Sequence, residues 1–227
     1  MNKKILRRCR LFAGLDDAAL ERALSLLAAR EQSYVRGEFL VPVASPMPAF
    51  GLVLEGQVQV LRDDRDGHHM IMANVGAGDT FGESLAYLGR LSPVYIVAVD
   101  ACRVMWLSPA RLADPASLAD ADVAALSFRF TSMLAARALA MNDRIQILSQ
   151  LTIRSKINAL LSQFAAQSGS DSFALPFDRE DMAFYLGTDR SALSRELGRM
   201  RREGLIDFKG NNFTLLSPDF RAASDGM

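Results

Sequence analysis

The sequence predicts an α+β chain of two domains: an N-terminal β-roll, one long dimerisation helix, and a C-terminal winged helix-turn-helix. Three observations predict it. Residues 33–107 are short β-type runs broken by Gly, Pro and Asp, the pattern of a sandwich or roll. Residues 118–151 contain no Gly or Pro and are rich in Ala and Leu, so they read as one helix. Residues 178–206, DREDMAFYLGTDRSALSRELGRMRREGLI, read as helix, tight turn, helix and entry to a hairpin. The expected bounds are 1–115 for the roll, 116–150 for the dimerisation helix and 151–227 for the helix-turn-helix domain.

Composition narrows the function. Half of the 227 residues are hydrophobic, enough for a sizeable core in two modest domains. The 26 basic residues balance 26 acidic ones, which argues against sequence-blind coating of nucleic acid but leaves room for a local basic face. No apolar run reaches the length of a membrane span. The N-terminus, MNKKILRRCRLF, lacks the apolar stretch and cleavage site of a signal peptide. A cytoplasmic protein without a membrane partner is expected. Cys9 and Cys102 lie far apart, and a disulfide is not expected in a reducing cytosol.

The elements follow in order. Residues 11–29 carry Leu20, Leu24 and Leu27 at helical spacing, with Asp16 as the cap. Strands are expected over 34–41 (around a turn), 50–54, 56–61, 70–74, 94–99 and 103–107, with Asp66-Gly67 at a hairpin tip. The long helix offers two apolar seams at spacings of three and four. Leu126, Phe130 and Met133 form one. Leu134, Ala138, Met141, Ile145 and Leu148 form the other. Contact with both the roll and a second copy of the chain is expected, with Leu126, Phe130, Met133, Leu134, Met141 and Ile145 as dimer residues. A helix follows over 152–166, then a polar loop, a short strand near 173–177, and a β-hairpin wing around Gly210-Asn211-Asn212. The tail, SPDFRAASDGM, is expected to fray.

Within the helix-turn-helix, Asp178 and Asp189 are N-cap candidates, Gly187 can end the first helix in a left-handed conformation, and Gly204 lies beyond the second. Met182, Ala183, Tyr185 and Leu186 supply the buried side of the first helix, and Leu193, Leu197 and Met200 that of the second. On the second helix, Arg190, Ser191, Ser194, Arg195, Arg201 and Arg202 fall on the opposite arc. Guanidinium forks and hydroxyls there suit base edges and phosphates. Such an arc also suits a solvated surface, and the capped helix and tight turn before it favour DNA. Arg190 and Arg195 are expected to read bases with help from Ser191 and Ser194. Arg199, Arg201, Arg202, Lys209, Thr188 and Arg179 are expected to hold phosphates.

The runs RSALSREL and RMRREGLI resemble the recognition helix and following turn of the cyclic-AMP receptor protein/FNR family of bacterial transcription regulators. The family carries an Arg, a Glu and a second Arg at fixed spacing. Arg190 and Arg195 match, whereas Ser191 stands at the Glu position, so the usual half-site is not implied. The run from Gly78 to Leu85, GDTFGESL, resembles the ligand segment of the cyclic-nucleotide-binding fold, with Gly82 and Glu83 at the matching positions. That resemblance implies a cyclic-nucleotide-binding-like β-roll whose Glu meets a ribose hydroxyl, and helix N–H groups facing a phosphate. About ten residues on, the nucleotide-binding members hold an Arg-Ser pair. Here Ser92, Pro93 and Val94 stand there, and Pro93 neither ion-pairs nor donates. Gly82-Glu83 equally suits a structural turn. The expected pocket comprises Gly82, Glu83, Ser84, Arg90, Ser92 and Tyr95. Its apolar wall is Phe81, Leu85, Tyr87, Leu88, Leu91 and Val94, closed by Met133 and Leu134 of the long helix. A small organic acid or aromatic metabolite paired with Arg90 is preferred over a cyclic nucleotide, with haem or a redox event at Cys9 or Cys102 as the alternative.

The resemblance also implies a homodimer on double-stranded DNA that meets RNA polymerase. Two cysteines cannot ligate an iron–sulfur cluster that needs four. His68 and His69 sit at an expected hairpin tip, where a haem ligand remains a minor alternative. No metal-binding spacing, P-loop or catalytic triad stands out, so no enzyme is expected. A competing reading is a signalling module whose roll binds a nucleotide and whose C-terminal domain binds protein.

Overall fold

The computed structural model describes residues 3–63 and 69–217. The expected hairpin tip at Asp66-Gly67, His68 and the tail from Pro218 lie outside them. Two compact units divide the chain at Ala136/Arg137, within the long helix.

The first unit begins with helices α1 (Lys3–Leu6) and α2 (Asp17–Leu26). The helix expected from residue 11 starts at Asp17, because the Asp16 carboxylate accepts the Ala19 N–H at 2.7 Å and so fixes the cap there. Leu11 and Phe12 instead lie in a buried turn. Strands β1 (Arg30–Tyr34), β2 (Phe39–Val41), β3 (Phe50–Glu55), β4 (Gln57–Asp63), β5 (His69–Gly76) and β6 (Thr80–Phe81) follow. Then come α3 (Glu83–Leu88), β7 (Tyr95–Ala98), β8 (Cys102–Leu107) and α4 (Ala110–Ala113). Two four-stranded antiparallel sheets, β1-β8-β3-β6 and β2-β7-β4-β5, make the roll.

The roll buries Val53, Val58, Phe81, Ile96 and Val104 between its sheets. The ring of Phe81 meets Trp106 edge-on at 5.5 Å, a preferred aromatic geometry. A second core joins α1, α2 and β3 to the start of the long helix. Both cysteines are buried and neither is in a disulfide. Burial raises the Cys102 thiol above its ordinary pKa, which works against the redox reactivity considered for it.

The long helix α5 spans Ala121–Leu148, shorter at both ends than the run without Gly or Pro. Asp120 ends the preceding 3-10 turn (Pro115–Ala119), and its carboxylate accepts the Asp122 N–H at 3.0 Å. By length and composition α5 could cross a membrane, which the absence of an expected membrane span did not anticipate. Its first half is instead engaged with protein. Val123, Leu126, Phe130 and Met133 are buried in the first-unit core, and Leu134 packs against it. Phe130 stacks on Tyr87 at 5.4 Å and meets Phe50 at 5.5 Å. The expected dimer residues Leu126, Phe130, Met133 and Leu134 therefore face the roll, a correction that helical spacing alone does not yield. Met141 and Ile145 are exposed, as is Phe128, at 61%, 60% and 75%.

The second unit comprises the end of α5, α6 (Ile153–Ser168), β9 (Ser172–Ala174), α7 (Arg179–Tyr185), α8 (Arg190–Arg202), β10 (Ile206–Lys209) and β11 (Asn212–Leu215). Thr152 opens α6 with a reciprocal capping box to Ser155. The strands pair as β10-β11-β9. Ile147 of α5 is buried here with Ile157, Leu161, Met182, Leu193 and Leu197, so the last turns of the long helix belong to this unit's core.

Candidate DNA interface and sensor segment

The helix-turn-helix is built by caps. The Asp178 carboxylate accepts the Glu180 and Asp181 N–H groups at 2.8 and 2.9 Å, which starts α7. Gly187 ends it at φ +56°, a conformation that selects glycine, and a Cβ there would press on the Leu148 side chain at 3.1 Å. Asp189 accepts the Ala192 N–H at 2.9 Å and starts α8. The Ser191 hydroxyl, followed by the Ala192 N–H, holds the Asp189 carboxyl below its usual pKa. A depressed carboxylate contributes stability that is present above its unfolded pKa and lost as pH falls through the folded one. The cap is therefore intact at neutral pH.

Leu193, Leu197 and Met200 are buried, and the opposite arc of α8 faces solvent. Arg190, Ser194, Arg195 and Arg202 are exposed on it, with Lys209 exposed on the wing. Among the described residues none of these four cations forms an ion pair. The other expected contacts are more constrained. Ser191 donates to Asp189 at 2.8 Å. Arg199 lies 3.4 Å from Glu196, and Arg201 pairs with Asp207 at 2.8 Å. Arg179, expected to hold phosphate, is half-buried: it donates to the Gly210 carbonyl at 2.9 Å and stacks over Phe208 and Phe213 at 4.9 and 5.0 Å. That arrangement ties α7 to the wing. Thr188 is half-buried in the turn.

Three further residues position the interface and carried no signal in the sequence. Arg144 of α5 lies 5.4 and 5.1 Å from the Phe184 and Tyr185 rings and points at both their carbonyls, 3.4 Å away. Lys156 donates to the Leu186 carbonyl at 3.1 Å. Both cations satisfy the carbonyl end of α7, where positive charge is favoured. Arg154 grips α8, reaching Glu196 at 2.6 Å and Glu203 at 2.7 and 3.0 Å. These carboxylates, Glu203 first, raise the Arg154 pKa. All three partnerships join residues at least 30 apart in sequence, beyond the reach of any local pattern.

In the first unit, Gly82 takes φ +79° before α3. Met47 lies against it, with its methyl carbon 1.9 Å from where a Cβ would stand. Glu83 is buried at 3% exposure and its carboxylate accepts from the Thr80 hydroxyl. Ser92 is buried, donating to the Val94 carbonyl at 2.7 Å. Tyr95 is half-buried, its hydroxyl 2.9 Å from Asp63, whereas Ser84 and Arg90 are exposed. The expected apolar wall does not converge. Phe81 and Tyr87 belong to packed cores, while Leu88 and Leu91 face solvent at 65% and 58%. Among the described residues no three His, Cys, Asp or Glu side chains gather as a metal site needs.

The profile of the cyclic nucleotide-binding domain matches residues 31–114, and that of the Crp-like helix-turn-helix domain matches residues 155–220. This chain belongs to the Crp/Fnr family. It is therefore a helix-turn-helix transcription regulator of the Crp/Fnr type, a family of regulators and not of enzymes. The nitrogen fixation regulation protein FixK of Bradyrhizobium diazoefficiens is 26% identical over 221 residues, covering 94% of this chain and 88% of that protein. The cAMP-activated global transcriptional regulator CRP of Salmonella typhimurium is 23% identical over 168 residues, covering 72% and 78%. Among solved structures, FixK2 from Bradyrhizobium japonicum shares the fold, with a TM-score of 0.54 at 24% identity, over 86% of this chain and 96% of that one.

Proposed function

We propose that this Crp/Fnr chain acts as a cytoplasmic homodimer that binds an inverted-repeat operator in double-stranded DNA and meets RNA polymerase there. The proposal keeps three parts: a sensor roll, a connecting helix and a DNA reader. The carrying observation is the solvent-facing arc of α8, where Arg190 and Arg195 make no ion pair among the described residues while Asp189 and Leu193 fix the helix beneath them. Free guanidinium forks on a rigid helix suit guanine O6 and N7. Arg202 and Lys209 are left to hold phosphates; Arg179 and Arg201 instead serve the wing. Selection of genomic fragments with the purified protein should enrich one inverted repeat, with half-sites about one helical turn apart. Enrichment of no motif, with or without cell extract, would favour the protein-binding module instead.

The dimer seam in this reading is the exposed apolar part of α5: Phe128, Leu139, Met141 and Ile145. Ile145→Asp puts an unpaired charge into that seam. Sedimentation should find monomer, and operator affinity should fall because each half-site is then held by one reader alone. A variant that stays dimeric would move the interface elsewhere.

The effector in this reading is not a cyclic nucleotide. Pro93 stands where a phosphate-binding Arg is expected, Ser92 is bonded internally, and Met47 covers Gly82. Calorimetry should detect no micromolar binding of cyclic AMP. A micromolar isotherm would overturn this part.

A further inference from the structure

A cleft of about 930 Å³ opens in the first unit beside the edge strand β1, within the size range of small-molecule sites. It is distinct from the pocket expected around Glu83 and Arg90. Phe39, Val41, Met47, Pro48 and Trp106 give it apolar walls, and Tyr34 also lines it.

Tyr34 supplies the chemistry. It is 6% exposed, and the Trp106 indole N–H donates to its oxygen at 2.9 Å. That bond uses the phenol as acceptor. Among the described residues no acceptor takes the phenol's own proton, and a buried donor left unpaired is costly. Burial raises the Tyr34 pKa, so the group remains a donor at neutral pH. The cleft is lined by one cation, Arg30, and two carboxylates, Glu31 and Glu38, so it offers no surplus positive charge to an anion. Glu31 lies 3.4 Å from Arg103, Glu38 accepts the Val35 N–H at 2.9 Å, and Arg30 has no ion pair among the described residues.

The proline-rich loop of residues 42–49 contributes several walls of the cleft. The same loop is fastened to the Ser92 segment: Ala44 N–H donates to the Ser92 carbonyl at 2.7 Å, and Ser92 N–H to the Ser45 carbonyl at 2.9 Å. Its Met47 touches both the cleft and Gly82. A molecule in the cleft thus bears on the residues that cover the Gly82 turn.

We propose that this cleft binds a small, uncharged aromatic or heterocyclic molecule whose carbonyl oxygen accepts the Tyr34 proton and whose ring packs against Trp106 and Met47. The claim is independent of DNA binding, since occupancy is read on the free protein. Trp106 is the single tryptophan of the chain, so one indole N–H resonance reports the site. Titration with acetophenone should shift that resonance saturably in the millimolar range. Benzylamine, which has the ring but at neutral pH is protonated and so has no lone pair to accept the Tyr34 proton, should not. Tyr34→Phe should weaken acetophenone roughly tenfold. Ala49→Phe, which fills the cleft from its rim, should abolish the saturable shift, and carries the test if Tyr34→Phe does not fold. Absence of a saturable shift, an equal response to benzylamine, or an acetophenone response unchanged in a folded variant would each overturn the proposal.

Discussion

Phe130→Ala should destabilise the first unit by about 3–5 kcal/mol, whereas Phe128→Ala, two residues earlier, should change it by no more than about 0.5 kcal/mol. The difference follows from the face each ring occupies. Phe130 is 1% exposed between Tyr87 and Phe50, and its removal leaves a cavity that rigid neighbours only partly close. Phe128 is 75% exposed and loses nothing within its own chain. Trp106 lies in this unit, so its fluorescence during denaturation reads the effect at a protein concentration where the oligomeric state is held fixed. The proposed seam adds a second expectation. Phe128→Ala should weaken self-association, and Phe130→Ala should not do so before it unfolds the unit. If the two variants exchanged behaviour, α5 would present the opposite face to the roll.

The second large effect is on DNA. Arg195→Ala and Arg190→Ala should each cost roughly 1–3 kcal/mol of operator affinity and relax preference at one base pair per half-site. Arg202→Ala should weaken all sequences about equally and flatten the salt dependence by about one counterion. Arg179→Ala should behave differently again. Its guanidinium is held by the Gly210 carbonyl and two phenylalanine rings, so the loss should appear as a looser wing and lower stability of the second unit. Equal loss of specificity in Arg195→Ala and Arg202→Ala would contradict the division of labour.

Local chemistry was legible in the sequence, and long-range partnership was not. Asp16, Asp178 and Asp189 act as caps within three residues of themselves, and Gly187 takes its left-handed turn at the next step of chain. Such features depend only on neighbours, so their signatures survive in one dimension. The two seams of α5 had equal apolar spacing, and only the packing of Tyr87 and Phe50 decides that Phe130 faces inward. Arg144, Arg154 and Lys156 look like ordinary solvated cations until the fold brings carbonyls and carboxylates to them. Arg179 looked free because nothing near it in sequence reveals the wing that folds over it. The sensor segment differed for a related reason. Apolar residues between Phe81 and Tyr95 could have lined a pocket or filled a core. Phe81 fills one, and Tyr87 another, while Leu88 and Leu91 point outward.

The central claim is that the N-terminal face of α8 reads base pairs in two symmetric half-sites. Ser191→Glu tests it most directly. It places a carboxylate beside Arg190 on the exposed arc while Asp189 still caps the helix. A carboxylate accepts a hydrogen bond from cytosine N4. Selection of DNA fragments with this variant should return the parent motif with a new preference for cytosine at one position, mirrored in both halves. A motif identical to the parent's, from a variant that binds as tightly, would mean that this face of α8 does not read the bases.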